Sequence, residues 1–169
     1  MQRLLKIMAQ LRDPQSGCPW DVKQTMQSLT RYTIEEAYEA VDAIERGAPD
    51  EIKDELGDLL FQVIFYAQLG KEEGRFDFNT VVSRITTKLL RRHPHVFEPD
   101  FDQTDYCPEK SWEAIKSREK SVKKSANLFE KYRVLPPLQK VEKVYKEIKA
   151  TGFRFKSPEH ALSKVDEEL

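Results

Sequence analysis

The chain has 169 residues, 39% hydrophobic and 34% charged, with 28 lysines and arginines against 29 aspartates and glutamates. This suits one soluble domain, or one domain plus a fragment, and the near-zero net charge argues against general binding to nucleic acid or membrane. Two cysteines and three histidines are few for a structural zinc site, and isolated Cys18 and Cys107 read as reduced thiols of a cytoplasmic protein. The opening MQRLLKIMAQLR has no continuous apolar core, so it is no signal peptide. The longest apolar run, residues 59–69, is too short to span a bilayer.

Helical periodicity runs through most of the chain. Leu4, Ile7, Met8 and Leu11 form a first stripe, which Asp13-Pro14 ends, and residues 14–21 read as a loop. A second helix is expected from about Thr33 to Arg46, with Ile34, Ala37, Tyr38, Val41 and Ile44 inward. GAPD (47–50) stops it and starts a third, carrying Ile52, Leu56, Leu59, Leu60 and Val63 to about Leu69. Residues 78–92 give a fourth, halted by His93-Pro94, before an acidic loop over 94–109 and a short charged helix over 111–121. Residues 121–134 read as a linker, and a new amphipathic segment follows LPPL (135–138). No strand pattern emerges, so the fold class is all-α.

The second and third helices raise a chemical question. At about 100° per residue, Glu55, Asp58 and Gln62 share a sector about 60° wide. Around them the helix is apolar on nearly every side, which is the pattern of a helix buried in a bundle or under a second subunit. Glu36 and Glu39 repeat the i, i+3 spacing on the preceding helix, beside Glu35. A short turn between the helices would bring the two acidic pairs face to face. Carboxylates converging in a partly dry site need protons or a cation. With no histidine before residue 93, di-iron chemistry is disfavoured and oxygen ligation points to Mg²⁺ or Mn²⁺. Thr33-x-x-Glu36 is also a capping-box pattern, so Glu36 can equally be a helix cap, and acids at i, i+3 are ordinary on solvated faces.

EEAYE (35–39) followed after fifteen residues by ELGD (55–58) resembles the E-E-x-x-E … E-x-x-D signature of the all-α nucleoside triphosphate pyrophosphohydrolases. GCPWDVKQT (17–25), DELGDLLFQVIFYAQ (54–68), RRHPHVF (91–97) and WEAIK (112–116) are similar specifically to the MazG family, across most of residues 1–120. The resemblance implies a helical bundle of four to five helices in a tight homodimer. It also implies Mg²⁺-dependent hydrolysis of an NTP to NMP and pyrophosphate. Carried over position by position, Glu36, Glu39, Glu55 and Asp58 would be metal ligands, and Glu35 would orient or deprotonate the attacking water. Lys88 and Arg92, on one helix face at i, i+4, would clamp phosphates. Lys116 and Trp112, also i, i+4, would meet the nucleotide, and Trp20 would stack on its base. The bland alternatives are an exposed helix face for Lys88 and Arg92 and plain packing for the two tryptophans.

Residues 135–169 resemble the start of a second copy of the same unit. FRF (153–155) stands near the place of the Trp20 loop, and VDEEL (165–169) echoes TIEEA (33–37). That copy stops at its first acidic pair, so the domain reading is 1–120, 121–134 and 135–169. Two functions compete. One is a pyrophosphohydrolase that cleans the nucleotide pool. The other is a dimerising, nucleotide-binding module of little activity, with catalysis in the rest of the second copy. Retention of every metal ligand and phosphate clamp over 35–116 favours the enzyme.

Overall fold

Helix ends in this chain are set by local signals that can be followed one by one. The computed structural model describes residues 1–101, 132–133 and 135–166, and all regular structure among them is helical. α1 (Gln2–Leu11) leads into α2 (Pro19–Lys23), five residues that begin with Pro at a position where no backbone donor is needed. α3 (Met26–Arg46) starts seven residues before the expected Thr33. Its cap is Thr25: the Ser28 N–H donates to Thr25 Oγ1 (3.2 Å), and the Thr25 N–H donates to Ser28 Oγ (3.0 Å). Ser thus does at N3 what Glu or Gln usually does in a capping box. Thr33 lies inside the helix, which removes the capping role from Glu36.

Gly47 adopts φ +67°, a left-handed conformation that costs glycine little, and the Ala48 N–H returns to the Ala43 carbonyl (3.3 Å). Pro49 opens α4 (Pro49–Glu72) at once. With so short a connection, α3 and α4 form an antiparallel hairpin, the most extensive helix pairing among the described residues. α5 (Phe78–Arg92) matches the expected span; Asp77 Oδ1 caps it by accepting from the Thr80 N–H (2.8 Å) and the Thr80 hydroxyl (2.7 Å). α6 (Pro94–Phe97) is a single turn within the segment expected as loop.

The core sits where α1 crosses the far half of the hairpin. Met8, Leu29, Ile64, Phe65 and Leu69 are buried, flanked by Leu4, Leu5, Leu11, Met26, Phe61, Tyr66 and Phe78. At Gly70 the helix comes close to the Phe76 ring: a Cβ there would stand 2.7 Å from it and would have to displace it. Toward the turn the hairpin is less covered. Ile34, Tyr38 and Val41 on α3, Leu56, Leu60 and Val63 on α4, and Val82, Ile85 and Leu89 on α5 are all exposed. Each set follows i, i+3/4, i+7, so each is an exposed apolar helix stripe.

The chain divides into two compact units, residues 1–103 and 104–169. Within the second, α7 (Pro137–Ala150) and α8 (Pro158–Asp166) are described. Tyr145 stacks on Phe155 (5.9 Å between ring centres) and Phe153 meets Phe155 edge-on (5.2 Å). The expected helix at 111–121, the linker at 121–131 and the boundary at residue 120 lie outside the described residues.

Candidate metal centre

The hairpin brings three of the expected ligands together. One carboxylate oxygen each of Glu36, Glu39 and Glu55 lies within 4.8 Å of the others, Glu36 and Glu55 half-buried and Glu39 exposed. The short turn between the antiparallel helices explains it, and Asp58 is the acid that acts most on Glu36, Glu39 the one that acts most on Glu55. Asp58 is exposed and outside the close set. Its charge nonetheless bears on the same site. Burial, followed by the charges of Asp58, Glu39, Glu55 and Glu35, pushes the Glu36 carboxyl above the usual carboxylate range. Glu55 is pushed up likewise, by desolvation first and then by Glu39, Asp58, Asp54 and Glu51.

Among the described residues, no basic group forms an ion pair with, or donates a side-chain hydrogen bond to, Glu35, Glu36, Glu39, Glu55 or Asp58. Every influence on the two shifted carboxyls raises them. The donor set is oxygen only, which fits a hard divalent cation such as Mg²⁺ and supplies the charge such an ion would neutralise. Among the described residues, this is the one group of acids placed to hold a metal ion.

Glu35 is exposed on α3 and outside the close set. Lys88 is exposed and Arg92 half-buried at the end of α5, which packs on α4. Trp20, at the second position of α2, is 48% exposed and meets Tyr32 edge-on (5.7 Å); the Arg31 guanidinium in turn lies 4.5 Å over the Tyr32 ring. Tyr32 stands one turn before Glu35 and Glu36, so the tryptophan reaches the neighbourhood of the acids through it. Trp112 and Lys116 lie outside the described residues.

The chain is similar to known proteins over the segment that carries these acids. The family model for the MazG nucleotide pyrophosphohydrolase domain fits residues 24–97, which hold all the acids above. Residues 24–97 are thus similar to the MazG family. It is 45% identical over 170 residues to a nucleoside triphosphate pyrophosphohydrolase of Escherichia coli K12, covering all of this chain and 65% of that protein. It is 43% identical over 168 residues to the nucleoside triphosphate pyrophosphohydrolase/pyrophosphatase MazG of Thermotoga maritima, covering 99% of this chain and 64% of that one. The chain therefore spans just under two thirds of the length of these relatives. In fold it resembles the crystal structure of a mazG-related protein from Thermotoga maritima, with a TM-score of 0.56 at 24% identity over 69% of this chain and 99% of that one.

Sequence reasoning missed two features of this hairpin. Tyr32 and Arg31 flank the site beside Trp20, where an aromatic immediately before a capping-like threonine was the available signal. Thr33 and Tyr66 join across the hairpin through their hydroxyls (2.8 Å), a pairing that shows only once the register is known.

Proposed function

We propose that this chain hydrolyses nucleoside triphosphates to a nucleoside monophosphate and pyrophosphate with Mg²⁺, Mn²⁺ being the substitute of similar chemistry. The observation that carries the reading is the set of Glu36, Glu39 and Glu55 oxygens within 4.8 Å, with no basic group among the described residues paired to them. Together with Asp58 they would hold the cation. When bound, such an ion offsets phosphate charge and acidifies a bound water. The chain's own residues do the rest. Glu35, beside the ligands, accepts a proton from the attacking water. Lys88 and Arg92 bind phosphate oxygens, Trp20 stacks against the base, and Trp112 and Lys116 complete the nucleotide's surroundings. Names of relatives at 43–45% identity support this activity.

The exposed stripes on α3, α4 and α5 support a homodimer. Nine large apolar side chains aligned on three helices form a face that a second copy would cover. Residues 135–169 are proposed as the opening of a second MazG-like unit: Val141, Val144 and Ile148 on α7 repeat the spacing of Leu4, Ile7 and Leu11 on α1. No helix among the described residues is long and apolar enough to cross a membrane.

The deciding experiment is a product assay with each common NTP and dNTP plus Mg²⁺, resolving NMP, NDP, phosphate and pyrophosphate. NMP with pyrophosphate, lost in Glu55→Ala, is the expected result. A folded chain without turnover on any nucleotide would leave a dimerising, nucleotide-binding module instead.

A further inference from the structure

α1, α4 and the start of α5 enclose a cavity of about 230 Å³ that the acidic site does not use. On α1 its wall holds Leu5 and Ala9, one turn apart, with Lys6 beside them. On α4 the wall holds Ile64, Ala67 and Lys71, and Asp77 and Phe78 close the end at α5. Those α4 residues stand about 120–180° round the helix from Glu55, and Ala67 lies about 18 Å along it. The cavity is therefore on the side of α4 away from the acids.

Its surfaces differ in kind. Ile64 and Ala67 are buried and seal the floor against the core. Leu5 and Phe78 are half-buried and Ala9 is exposed, so these three offer apolar surface to an occupant. Lys6 and Lys71 are exposed on the two facing helices, and neither ammonium joins an ion pair among the described residues. Acids that could serve them are absent or engaged. Residues 1–12 contain no aspartate or glutamate. Past Lys71, Glu72 is taken by Arg12 and Gln68, and Glu73 by Arg75. Asp77 accepts from the N–H and the hydroxyl of Thr80. Among the influences that hold the Asp77 carboxyl low, the Thr80 hydrogen bonds come first and the Lys71 charge last.

The cavity thus joins unpaired positive charge to an apolar wall. Water suits the charge alone, whereas an organic anion suits both. Size narrows the class. An apolar cavity of about 150 Å³ holds one benzene, and drug-sized ligands take about 300–1,000 Å³. The space here lies between, enough for one ring or short chain bearing a charged group. We propose that this cavity is a second binding site of the chain, for a small organic anion whose charged group meets Lys6 and Lys71 and whose apolar body lies against Leu5, Ala9 and Phe78. The site stands apart from the reading of Glu36, Glu39 and Glu55 as metal ligands, so its test is run without divalent cation.

That test is titration of the full chain with phenyl phosphate in the presence of EDTA, read from backbone amide NMR shifts. The shifts are expected to concentrate at residues 2–9, 64–71 and 77–79. Lys6→Gln combined with Lys71→Gln is expected to weaken binding about tenfold or more. Ala9→Phe, which sends a ring into the cavity from an exposed position, is expected to abolish binding with both lysines in place. Inorganic phosphate and benzyl alcohol each carry one part of the ligand, and each is expected to bind at least about tenfold more weakly than phenyl phosphate. All the substituted positions are exposed, so the variants are expected to fold, with unchanged helical circular dichroism as the check. Shifts confined to the surroundings of Lys88 and Arg92 overturn the proposal, as does wild-type affinity in either variant. Phosphate binding as tightly as phenyl phosphate overturns it too and leaves an adventitious ion only. No shift at tens of millimolar leaves the cavity to solvent.

Discussion

The two ends of the α3–α4 hairpin handle carboxylates in opposite ways. At the core end, Glu72 accepts from Arg12 Nε (2.9 Å) and Nη2 (2.6 Å) and from Gln68 (2.9 Å). Arg12, its side chain only 8% exposed, spends Nη1 on the Asp21 carbonyl (2.5 Å) and the Gln24 carbonyl (3.2 Å), and its guanidinium lies 5.5 Å over Phe65. Burial pushes Glu72 up, but the hydrogen bonds from Arg12 and Gln68 and the charge of Arg12 outweigh it and hold the carboxyl low. Toward the turn, Glu36, Glu39 and Glu55 crowd together with no such partner among the described residues. A chain with 28 basic residues that neutralises one half-exposed glutamate so fully has not run short of cations. The acids near the turn are left bare for something that arrives from outside.

That contrast breaks first at the acids. Glu36→Gln or Glu55→Ala is expected to lower NTP hydrolysis by roughly two to three orders of magnitude, several kcal/mol of lost metal assistance, while leaving the far-UV circular dichroism of the helices intact. Hydrolysis surviving within tenfold in both variants would mean that the cluster is an ordinary acidic face. At the other end the same kind of change should act on folding. Arg12→Ala leaves Glu72 and two backbone carbonyls without their donor and is expected to cost about 3 kcal/mol in urea denaturation. Activity per folded molecule, assayed well below the lowered melting temperature, should remain. A stability loss under about 1 kcal/mol would show that the network contributes no more than a surface pair.

Cation binding sharpens the comparison from the ligand side. Mg²⁺ at a hundredfold over its dissociation constant is expected to stabilise the wild type by about 2.7 kcal/mol. Glu55→Gln should lose most of that gain, and Arg12→Ala should keep it from its lower starting point. Equal stabilisation of Glu55→Gln and wild type would place the bound ion elsewhere.

How much of this was legible beforehand differs by feature. α5 was readable at both ends, because a capping aspartate, a clean apolar stripe and His93-Pro94 all mark it. The acids were readable from their spacing alone, and their meeting followed from the short turn at Gly47. The start of α3 was not, because Thr33-x-x-Glu36 imitates a capping box and only Leu29 among residues 26–31 gives a buried anchor, whereas Thr25 and Ser28 cap with two hydroxyls. α2 and α6 are too short for periodicity to register. The apolar circumference of α4 signals cover all along it; the structure buries Ile64, Phe65, Ala67 and Leu69 in its second half and leaves Leu56, Leu60 and Val63 exposed, because what packs on a helix is not local information. Arg12 was opaque for a related reason: its partner is 60 residues away, and nothing in QLRDP distinguishes it from a solvated arginine.

The smallest effect is the most diagnostic, because the two ends titrate with opposite signs. Glu36 and Glu55 have folded-state affinities for protons above those of the unfolded chain, from burial first and then from their acidic neighbours. Between the ordinary glutamate value and the raised one, the folded state holds more protons, so stability falls as pH rises through that window. Glu72 is the reverse: its contribution is present above the ordinary value, about 4.3, and is lost as pH falls through its lowered folded value. Cation-free protein should therefore gain stability on acidification from neutral toward the ordinary glutamate value, about 4.3, and lose it as pH falls further. Glu36→Gln should flatten the upper limb and spare the lower; Arg12→Ala should do the opposite. Saturating Mg²⁺ should invert the upper limb, because protons then compete with the ion for the same oxygens. Urea titrations at half-unit pH steps with and without Mg²⁺ decide it. An upper limb that is already flat in the wild type would mean that the acids near the turn do not feel one another, and the cluster would lose its claim to a cation.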